Sequence, residues 1–276
     1  MRKILFCLYR TTQYSNVFGI HFNDLLISDM FLSQNLNGLN ELGRGSYGRV
    51  LMARHAQTNT PLAIKQPIRS EKYTSRGEMV DEIKTTRTRS MKEGLVHHLL
   101  SGSPYFPKFW GALNIGYDIC LAVQFVGNHQ SGKSYPIYNP PKLSAFNGLK
   151  IADDIIRGMK ELHDHGLLHN DLKSDNVLLE HRGKRYHGVI IDFGMSSTIA
   201  CPLQLTGLSD AIKKAYINGA LGNHTAPEIV LGAEPTSTAS DVYSVGRLLM
   251  NIAHIIKGKH FPFHSSGYNI DLFDTC

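Results

Sequence analysis

The sequence predicts an α+β protein with two lobes, a smaller one rich in strands and a larger one that is mostly helical. Strand-like runs separated by polar turns precede a stretch rich in Gly, Ser, Asn and Pro at 127–141, and helical periodicity dominates after it. With 276 residues, 42% of them hydrophobic, the chain is long enough to bury two cores. We therefore divide it into an N-terminal extension of unknown role (1–38), a first lobe (39–126), and a linker with the second lobe (127–276).

In the first lobe, strands are predicted over 42–51 and 61–65, with the polar turn 57–60 between them. Residues 92–100 are predicted to form a helix, because four Leu and Val side chains recur there at helical spacing. The apolar-rich run over 120–126 indicates a strand.

In the second lobe, a helix is predicted over 149–163 because apolar residues form one stripe along it. The stripe consists of Ile151, Ile155, Met159 and Leu162. A hairpin is expected at 177–191 and a long mobile loop at 195–225. A buried helix follows at 240–256, and Ser240-Asp241 is the expected cap at its start.

Composition limits the classes of partner. The formal charge of +6 resembles that of a nucleic-acid binder, but Lys and Arg are dispersed, so no specific nucleic-acid partner is expected. No apolar run approaches the ~20 residues that span a bilayer, so no membrane partner is expected either. The cysteines are isolated and form no Cys-x-x-Cys pair, which favours a reducing, intracellular compartment (cytoplasm or nucleus).

A glycine pattern lies near the start of the first lobe, where residues 43–50 have the form Gly-x-Gly-x-x-Gly-x-Val. Glycine lets a backbone approach phosphate groups because no side chain stands in the way. The pattern alone is weak, since glycine-rich hairpins are common and dinucleotide-binding turns have the same spacing. Such a turn leads from a strand into a helix, however, whereas residues 50–53 continue as a strand.

Two polar motifs follow in the second lobe. Residues 169–176 have the form His-x-Asp-Leu-Lys-x-x-Asn, and residues 192–194 are Asp-Phe-Gly. A carboxylate at Asp171 can orient a hydroxyl group and accept its proton. The side-chain oxygens of Asn176 and Asp192 are of the kind that Mg²⁺ prefers.

These motifs, together with Ala63-Ile64-Lys65, Ala226-Pro227-Glu228 and the helix beginning near Asp241, resemble in type and order the eukaryotic-type protein kinases. Lys173, two residues after the aspartate, resembles the serine/threonine-specific subset. The resemblance covers roughly residues 39–258. It implies a two-lobed protein-kinase-like fold with a small antiparallel-sheet N-lobe and a larger, mostly helical C-lobe truncated after its central helix. That compact form is reminiscent of kinases of large DNA viruses.

The resemblance implies that the chain binds ATP and Mg²⁺ and acts on protein substrates. Asp171 would receive the acceptor hydroxyl and Lys173 would stabilise the transferred charge. Lys65 would grip the α- and β-phosphates, and Glu93 is the expected partner of Lys65, since Val96 and Leu99 follow it at helical spacing. Glu82 and Glu78 are alternatives to Glu93. The implied metal ligands are Asn176 and Asp192.

The same resemblance places Val123 at the back of the adenine pocket and residues 124–126 in the hinge that binds the base. The full set of implied nucleotide contacts is Leu42, Gly43, Arg44, Gly45, Ser46, Tyr47, Gly48, Val50, Ala63, Lys65, Val123, Gln124 and Val126.

Three departures from the family pattern stand out. Asn170 replaces an arginine that usually binds a phosphate on the activation loop, so we expect activity that does not depend on such a phosphate. Ala220-Leu221 occupies the place of the usual Gly-Thr before Ala226. The chain also ends soon after the Asp241 helix, which leaves Glu228 without the arginine that pairs with it in the family.

The sequence favours an ATP-dependent serine/threonine protein kinase. A pseudokinase or interaction scaffold that binds nucleotide without efficient transfer is the first alternative. A small-molecule phosphotransferase shares the His-x-Asp motif, but Ala226-Pro227-Glu228 and the long loop before it belong to recognition of protein substrates. A basic nucleic-acid-binding module is the last alternative. The oligomeric state stays open.

Overall fold

The computed structural model describes residues 20–28, 31–32, 36–45, 48–69, 75–205, 208–217 and 224–258. The chain divides into two compact units. The first comprises residues 1–103 and 107–125, and the second comprises residues 104–106 and 126–276. Among the described residues, no helix is both long and apolar enough to cross a membrane.

The first unit is built on a five-stranded antiparallel sheet, whose strands are β1 (Glu41–Arg44), β2 (Gly48–Arg54), β3 (Pro61–Pro67), β4 (Phe109–Ile115) and β5 (Asp118–Gln124). Their order in the sheet is β1-β2-β3-β5-β4. Helix α1 (Arg76–Leu99) packs against β4 and β5. The antiparallel-sheet lobe predicted from the sequence is therefore present.

Helix α1 begins at Arg76, so the prediction that a helix starts at residue 92 was wrong by four turns. Ser75 caps the helix, and its side chain accepts a hydrogen bond from the Glu78 backbone N–H. The first half of α1 carries few apolar residues, so it lacks the stripe on which the prediction relied. It is instead rich in Arg, Glu, Lys and Met, which have high helix propensity.

Part of the N-terminal extension packs into the core of the first unit. Two short 3-10 helices, Phe22–Leu25 and Leu36–Gly38, place three apolar side chains in buried positions, namely Phe22, Leu25 and Leu36. Leu26 forms a bridge with Ala112 of β4. The core cluster that includes Leu36 is completed by Leu51, Ala53, Leu62, Ile64, Leu113, Cys120 and Ala122.

The second unit is mainly helical, with short strand pairs. Its elements are α2 (Ala145–Asp164), β6 (Leu167–Leu168), a 3-10 turn (Ser174–Asn176), β7 (Val177–Arg182), β8 (Arg185–Ile190), β9 (Ser197–Thr198), α3 (Asp210–Ile217), α4 (Pro227–Val230) and α5 (Thr238–Ile256). The predicted stripe of α2 is confirmed, since all four of its side chains are buried. The β7–β8 hairpin is also confirmed.

The prediction of a long mobile loop over 195–225 was wrong at two places, residues 197–198 and residues 210–217. Strand β9 pairs with β6, and α3 occupies residues 210–217. Leu205, Leu208 and Tyr216 pack with residues of α4 in a small core. Strands are predicted from alternation and helices from helical periodicity, and neither pattern can be recognised over so few residues. This explains why β9 and α3 were not predicted.

The cap of α5 also differs from the prediction. Ser237 caps the helix and Ser240 completes a capping box with it, so the helix starts two residues before the predicted position. Asp241 does not cap α5. Its carboxylate instead accepts hydrogen bonds from another part of the second unit.

Candidate active site

Helix α5 holds the loop that follows β6. The two Asp241 carboxylate oxygens accept hydrogen bonds from the backbone N–H groups of His169 (2.8 Å) and Asn170 (2.9 Å). This carboxylate is only 1% exposed, and His163 Nε2 lies 3.0 Å from its Oδ2. The loop that follows β6 is thus fixed to α5 by charge-assisted hydrogen bonds.

The Asp171 carboxylate lies at the centre of a group of donors. Lys173 Nζ is 2.9 Å from Asp171 Oδ2, and Asn176 Nδ2 donates to the same oxygen at 3.0 Å. On the other side, His224 Nε2 lies 3.4 Å from Asp171 Oδ1. The candidate base and the candidate transfer lysine are therefore in direct contact.

These neighbours set the charge of Asp171. Burial alone would raise the pKa of its carboxyl, but the hydrogen bond from His224 and the positive charge of Lys173 outweigh it, so the pKa lies below its ordinary range. Burial likewise opposes the charged form of Lys173, and Asp171 more than compensates, so the pKa of Lys173 is raised. Both groups are charged at neutral pH.

The two implied metal ligands are adjacent in the second unit. The Asn176 carbonyl accepts a hydrogen bond from the Ile191 backbone N–H at 2.9 Å, directly before Asp192. Asp192 has φ 65°, a left-handed conformation that few residues other than glycine adopt. The Asn176 amide nitrogen is directed at Asp171. A carboxylate and an amide oxygen form a donor set that fits Mg²⁺.

Phe193, between Asp192 and Gly194, is fully buried. Its ring contacts those of Phe106 and His169, with centroid distances of 5.7 Å in both cases. This aromatic packing keeps Asp192 next to the loop that carries Asp171.

In the first unit, Lys65 on β3 is paired with Glu93 on α1. Lys65 Nζ lies 2.8 Å from Glu93 Oε1, and the Glu93 side chain is 4% exposed. The alternatives Glu82 and Glu78 precede Glu93 on the same helix by three and four turns, roughly 16 and 22 Å along its axis. The contact therefore singles out Glu93 among the three carboxylates.

The strand register places further predicted residues opposite one another. Val50 lies across from Lys65 in the β2–β3 pair, and Ala63 lies across from Val123 in the β3–β5 pair. The Gln124 backbone N–H donates to the Lys108 carbonyl, whereas Val126, the first residue after the unit boundary, accepts a hydrogen bond from the Ser134 hydroxyl.

The glycine turn between β1 and β2 has two kinds of glycine. A Cβ at Gly48 would approach the Gln66 carbonyl oxygen to 2.7 Å, so packing against β3 requires glycine there. Among the described residues, no atom lies within 4 Å of a Cβ at Gly43 or Gly45, so packing against this part of the chain does not explain these two glycines. The Arg44 guanidinium is paired with Glu41. Leu42 is half-buried on β1, and Ser46 and Tyr47 lie outside the described residues.

Asn170, which replaces the usual arginine, has a local structural role. Its Nδ2 donates to the Met195 carbonyl and to the Ser197 hydroxyl, both at 2.9 Å, and its φ is 68°. Hydrogen bonds between uncharged groups thus hold Met195 and Ser197, at the start of the segment that follows Asp192.

The sequence did not identify His224 as a site residue. It lies two residues before Ala226, far along the chain from Asp171, and no motif or spacing connects the two positions. A contact of this kind follows from the path of the chain, so the sequence carried no signal for it.

Comparisons of the sequence with known proteins find relatives that are named as kinases. The chain is 28% identical over 251 residues to the mitogen-activated protein kinase kinase MST7 of Pyricularia oryzae, which covers 90% of this chain and 51% of that protein. It is 29% identical over 236 residues to the cyclin-dependent kinase G-1 of Oryza sativa subsp. indica (86% and 30%). It is 27% identical over 234 residues to the dual specificity protein kinase FUZ7 of Mycosarcoma maydis (84% and 46%).

The chain spans about half the length, or less, of these curated relatives. A family model described as the protein kinase domain matches residues 36–271, which is most of the chain. The resemblance drawn from the motifs is confirmed by this match, and so is the two-lobed fold class. The chain belongs to the protein kinase domain family.

Proposed function

We propose that this chain is an ATP-dependent protein kinase that transfers the γ-phosphate to serine or threonine hydroxyls of proteins. The observation that carries the proposal is the arrangement around Asp171, whose ionised carboxylate contacts Lys173 and Asn176. Phosphoryl transfer needs little covalent chemistry from the protein and depends on positioned groups and charge stabilisation.

Each residue has a definite task in this proposal. Asp171 orients the acceptor hydroxyl and receives its proton, which the low pKa of its carboxyl permits because the carboxylate is ionised at neutral pH. Lys173 supplies positive charge beside it, and Lys65, held by Glu93, binds the α- and β-phosphates. Asn176 and Asp192 would hold Mg²⁺, which neutralises phosphate charge when bound.

The turn between β1 and β2 supports nucleotide binding independently. No atom of the described residues fills the space where a side chain at Gly43 or Gly45 would stand, and a phosphate can approach the backbone only where such space exists. We assign the remaining predicted contacts of the nucleotide to the residues around this turn and to Ala63, Val123, Gln124 and Val126.

Specificity for serine and threonine rests on Lys173, whose place after the catalytic aspartate resembles that subset of the family. One relative is named a dual specificity protein kinase, so tyrosine is the acceptor that must be tested against serine and threonine.

The test is incubation of the chain with γ-labelled ATP, Mg²⁺ and the generic acceptors casein and histone, followed by identification of the labelled amino acid. The proposal predicts label on phosphoserine or phosphothreonine. Label on phosphotyrosine alone would overturn the assigned specificity. Magnesium-dependent ATP binding without any transfer would instead identify a pseudokinase or scaffold.

A further inference from the structure

The two oxygens of the Asp171 carboxylate have different surroundings. Oδ2 receives two donors, Lys173 Nζ at 2.9 Å and Asn176 Nδ2 at 3.0 Å. Oδ1 has His224 Nε2 as its neighbour, at the longer distance of 3.4 Å. A carboxylate oxygen accepts about two hydrogen bonds. Oδ2 is therefore saturated, and Oδ1 is the oxygen that retains room for an acceptor hydroxyl.

Helix α5 fixes the position of His224 as well as that of the Asp171 loop. The Ser244 hydroxyl donates a hydrogen bond to the His224 carbonyl at 2.6 Å. Ser244 lies three residues after Asp241, hence on the same face of α5. Because Asp241 binds the backbone of His169 and Asn170, one helix holds both the loop that carries Asp171 and the backbone of His224.

The contact restricts how the carboxylate can rotate. With donors on Oδ2 alone, the carboxyl group could turn about its terminal bond, a torsion that has broad minima. A donor on Oδ1 from a separate segment fixes the plane of the group. Misplacement of a reacting group by about 1 Å can reduce turnover roughly 100-fold, so orientation of this oxygen matters for transfer.

We propose that His224 is a positioning residue that donates from Nε2 to Oδ1 of Asp171 and thereby presents this oxygen to the acceptor hydroxyl. The proposal rests on the proposed kinase function. It gives His224 a role in the acceptor step and none in nucleotide binding, since its described polar contacts reach Asp171 and Ser244, neither of which is assigned to the nucleotide.

The test compares His224→Leu, which keeps the bulk and removes the donor, with His224→Gln, whose side-chain amide can donate at similar reach. We expect His224→Leu to lower kcat about tenfold or more while the KM for ATP stays within about twofold, and His224→Gln to recover most of the loss. The matched control is His165→Leu, because His165 is exposed at the end of α2 and hydrogen-bonds only locally with the Glu161 carbonyl. That variant should keep its rate.

Three results would overturn the proposal. They are a His224→Leu rate within twofold of the parent, a His224→Leu rate above it, and a His224→Gln rate as low as that of the leucine variant in folded protein. Absence of transfer by the parent chain would contradict the proposed kinase function instead. The contact itself is then tested by NMR, where Asp171→Asn should shift the ring resonances of His224. Unchanged resonances would refute the contact, whether or not the chain transfers phosphate.

Discussion

The pair formed by Lys65 and Glu93 is a single-residue feature with a measurable consequence. Lys65 is partly exposed, whereas Glu93 is 4% exposed, so the carboxylate is the fixed member and the lysine is held by it. Truncating either residue removes the same contact. Two residues that act through one contact are expected to show non-additive effects.

We therefore expect Lys65→Met to lower phosphate transfer about 100-fold or more, because it removes the charge proposed to bind the nucleotide phosphates. Glu93→Gln should cause a smaller loss, about tenfold, and the double variant should resemble Lys65→Met alone. Steady-state kinetics of the three variants measure this coupling. The control is Glu82→Gln on the same helix, which should have little effect. Losses that simply multiply would show that Glu93 does not act through Lys65.

The charge of Asp171 leads to a prediction about pH. Because the folded-state pKa of its carboxyl lies below the ordinary value of about 3.9, the group stays ionised as pH falls from 8 to 5.5 and is protonated only at lower pH. Protonation of Asp171 therefore causes no fall in the rate between pH 8 and 5.5. The residual rate of Asp171→Asn should run parallel to that of the parent chain from pH 8 to 5.5. An inflection in the parent that the variant lacks would place the pKa of Asp171 inside the interval.

At the scale of elements, the contact between the N-terminal segment and α1 depends on Phe22 and Gly94. A Cβ at Gly94 would approach Phe22 Cε2 to 3.0 Å, so the glycine is what allows the ring to lie this close to the helix. Gly94 directly follows Glu93. The segment therefore packs on the part of α1 that carries the partner of Lys65.

Phe22 is 5% exposed, and Phe22→Ala should lower the free energy of unfolding by about 3–5 kcal/mol. The matched control is Leu26→Ala in the same segment, where the parent side chain is 40% exposed and the loss should stay below about 1 kcal/mol. Urea unfolding of the full chain measures both values. Similar losses for the two variants would show that the segment does not pack as described.

The segment after Asp192 leads to a prediction about regulation. Ser196, Ser197 and Thr198 are buried, so a kinase could not reach them in the folded chain. Asn170 already holds this stretch through its hydrogen bonds to Met195 and Ser197. Two further hydroxyl-bearing residues follow before α3, of which Ser209 is exposed and Thr206 lies outside the described residues.

We expect activity that does not require phosphorylation of this segment, because order there comes from neutral hydrogen bonds. Phosphatase-treated chain, checked by mass spectrometry, should keep most of its rate. A loss of tenfold or more, about 1.4 kcal/mol in the barrier, that rephosphorylation restores would contradict this. Lys213 and Lys214 would then be the first candidates for the cation that binds the phosphate.

Elements with a continuous apolar stripe were predictable, and elements without one were not. Helix α2 was predicted because its stripe is regular, whereas the first half of α1 is polar and depends on the Ser75 cap and on propensity. The capping box of α5 spans only four residues, so a prediction of where this helix starts is easily wrong by two residues. Elements as short as β9 and α3 carry too few residues for a periodicity to appear.

The residues of the candidate site likewise divide into those whose proximity could be predicted from the sequence and those whose proximity could not. Asp171, Lys173 and Asn176 fall within one short run, so their proximity follows from local geometry and could be predicted. Residues far apart in the chain meet only through the fold. The sequence favoured Glu93 as the partner of Lys65 and left Glu82 and Glu78 as alternatives, which the contact observed on α1 excludes. The approach of His224 to Asp171 follows from the path of the segment before α4 and could not be predicted.

At the scale of the whole molecule, each unit carries a part of the predicted site residues. The first unit carries the glycine turn and the Lys65–Glu93 pair. The second carries Asp171 with its three donors, together with the two implied metal ligands. The family match extends over residues 36–271 and therefore includes parts of both units. A chain that retains both sets is expected to transfer phosphate and not only to bind nucleotide.

The most direct test of this claim is a side-by-side measurement of phosphate transfer and ATP binding by the parent chain and by Asp171→Asn. The parent should label serine or threonine in a protein acceptor. The variant should lose 100- to 10,000-fold in rate, on the order expected for a general base, and should bind ATP within about twofold of the parent. Transfer by the variant within about twofold of the parent rate would contradict the assignment of Asp171, and a parent chain that binds ATP but labels no acceptor would contradict the proposed function.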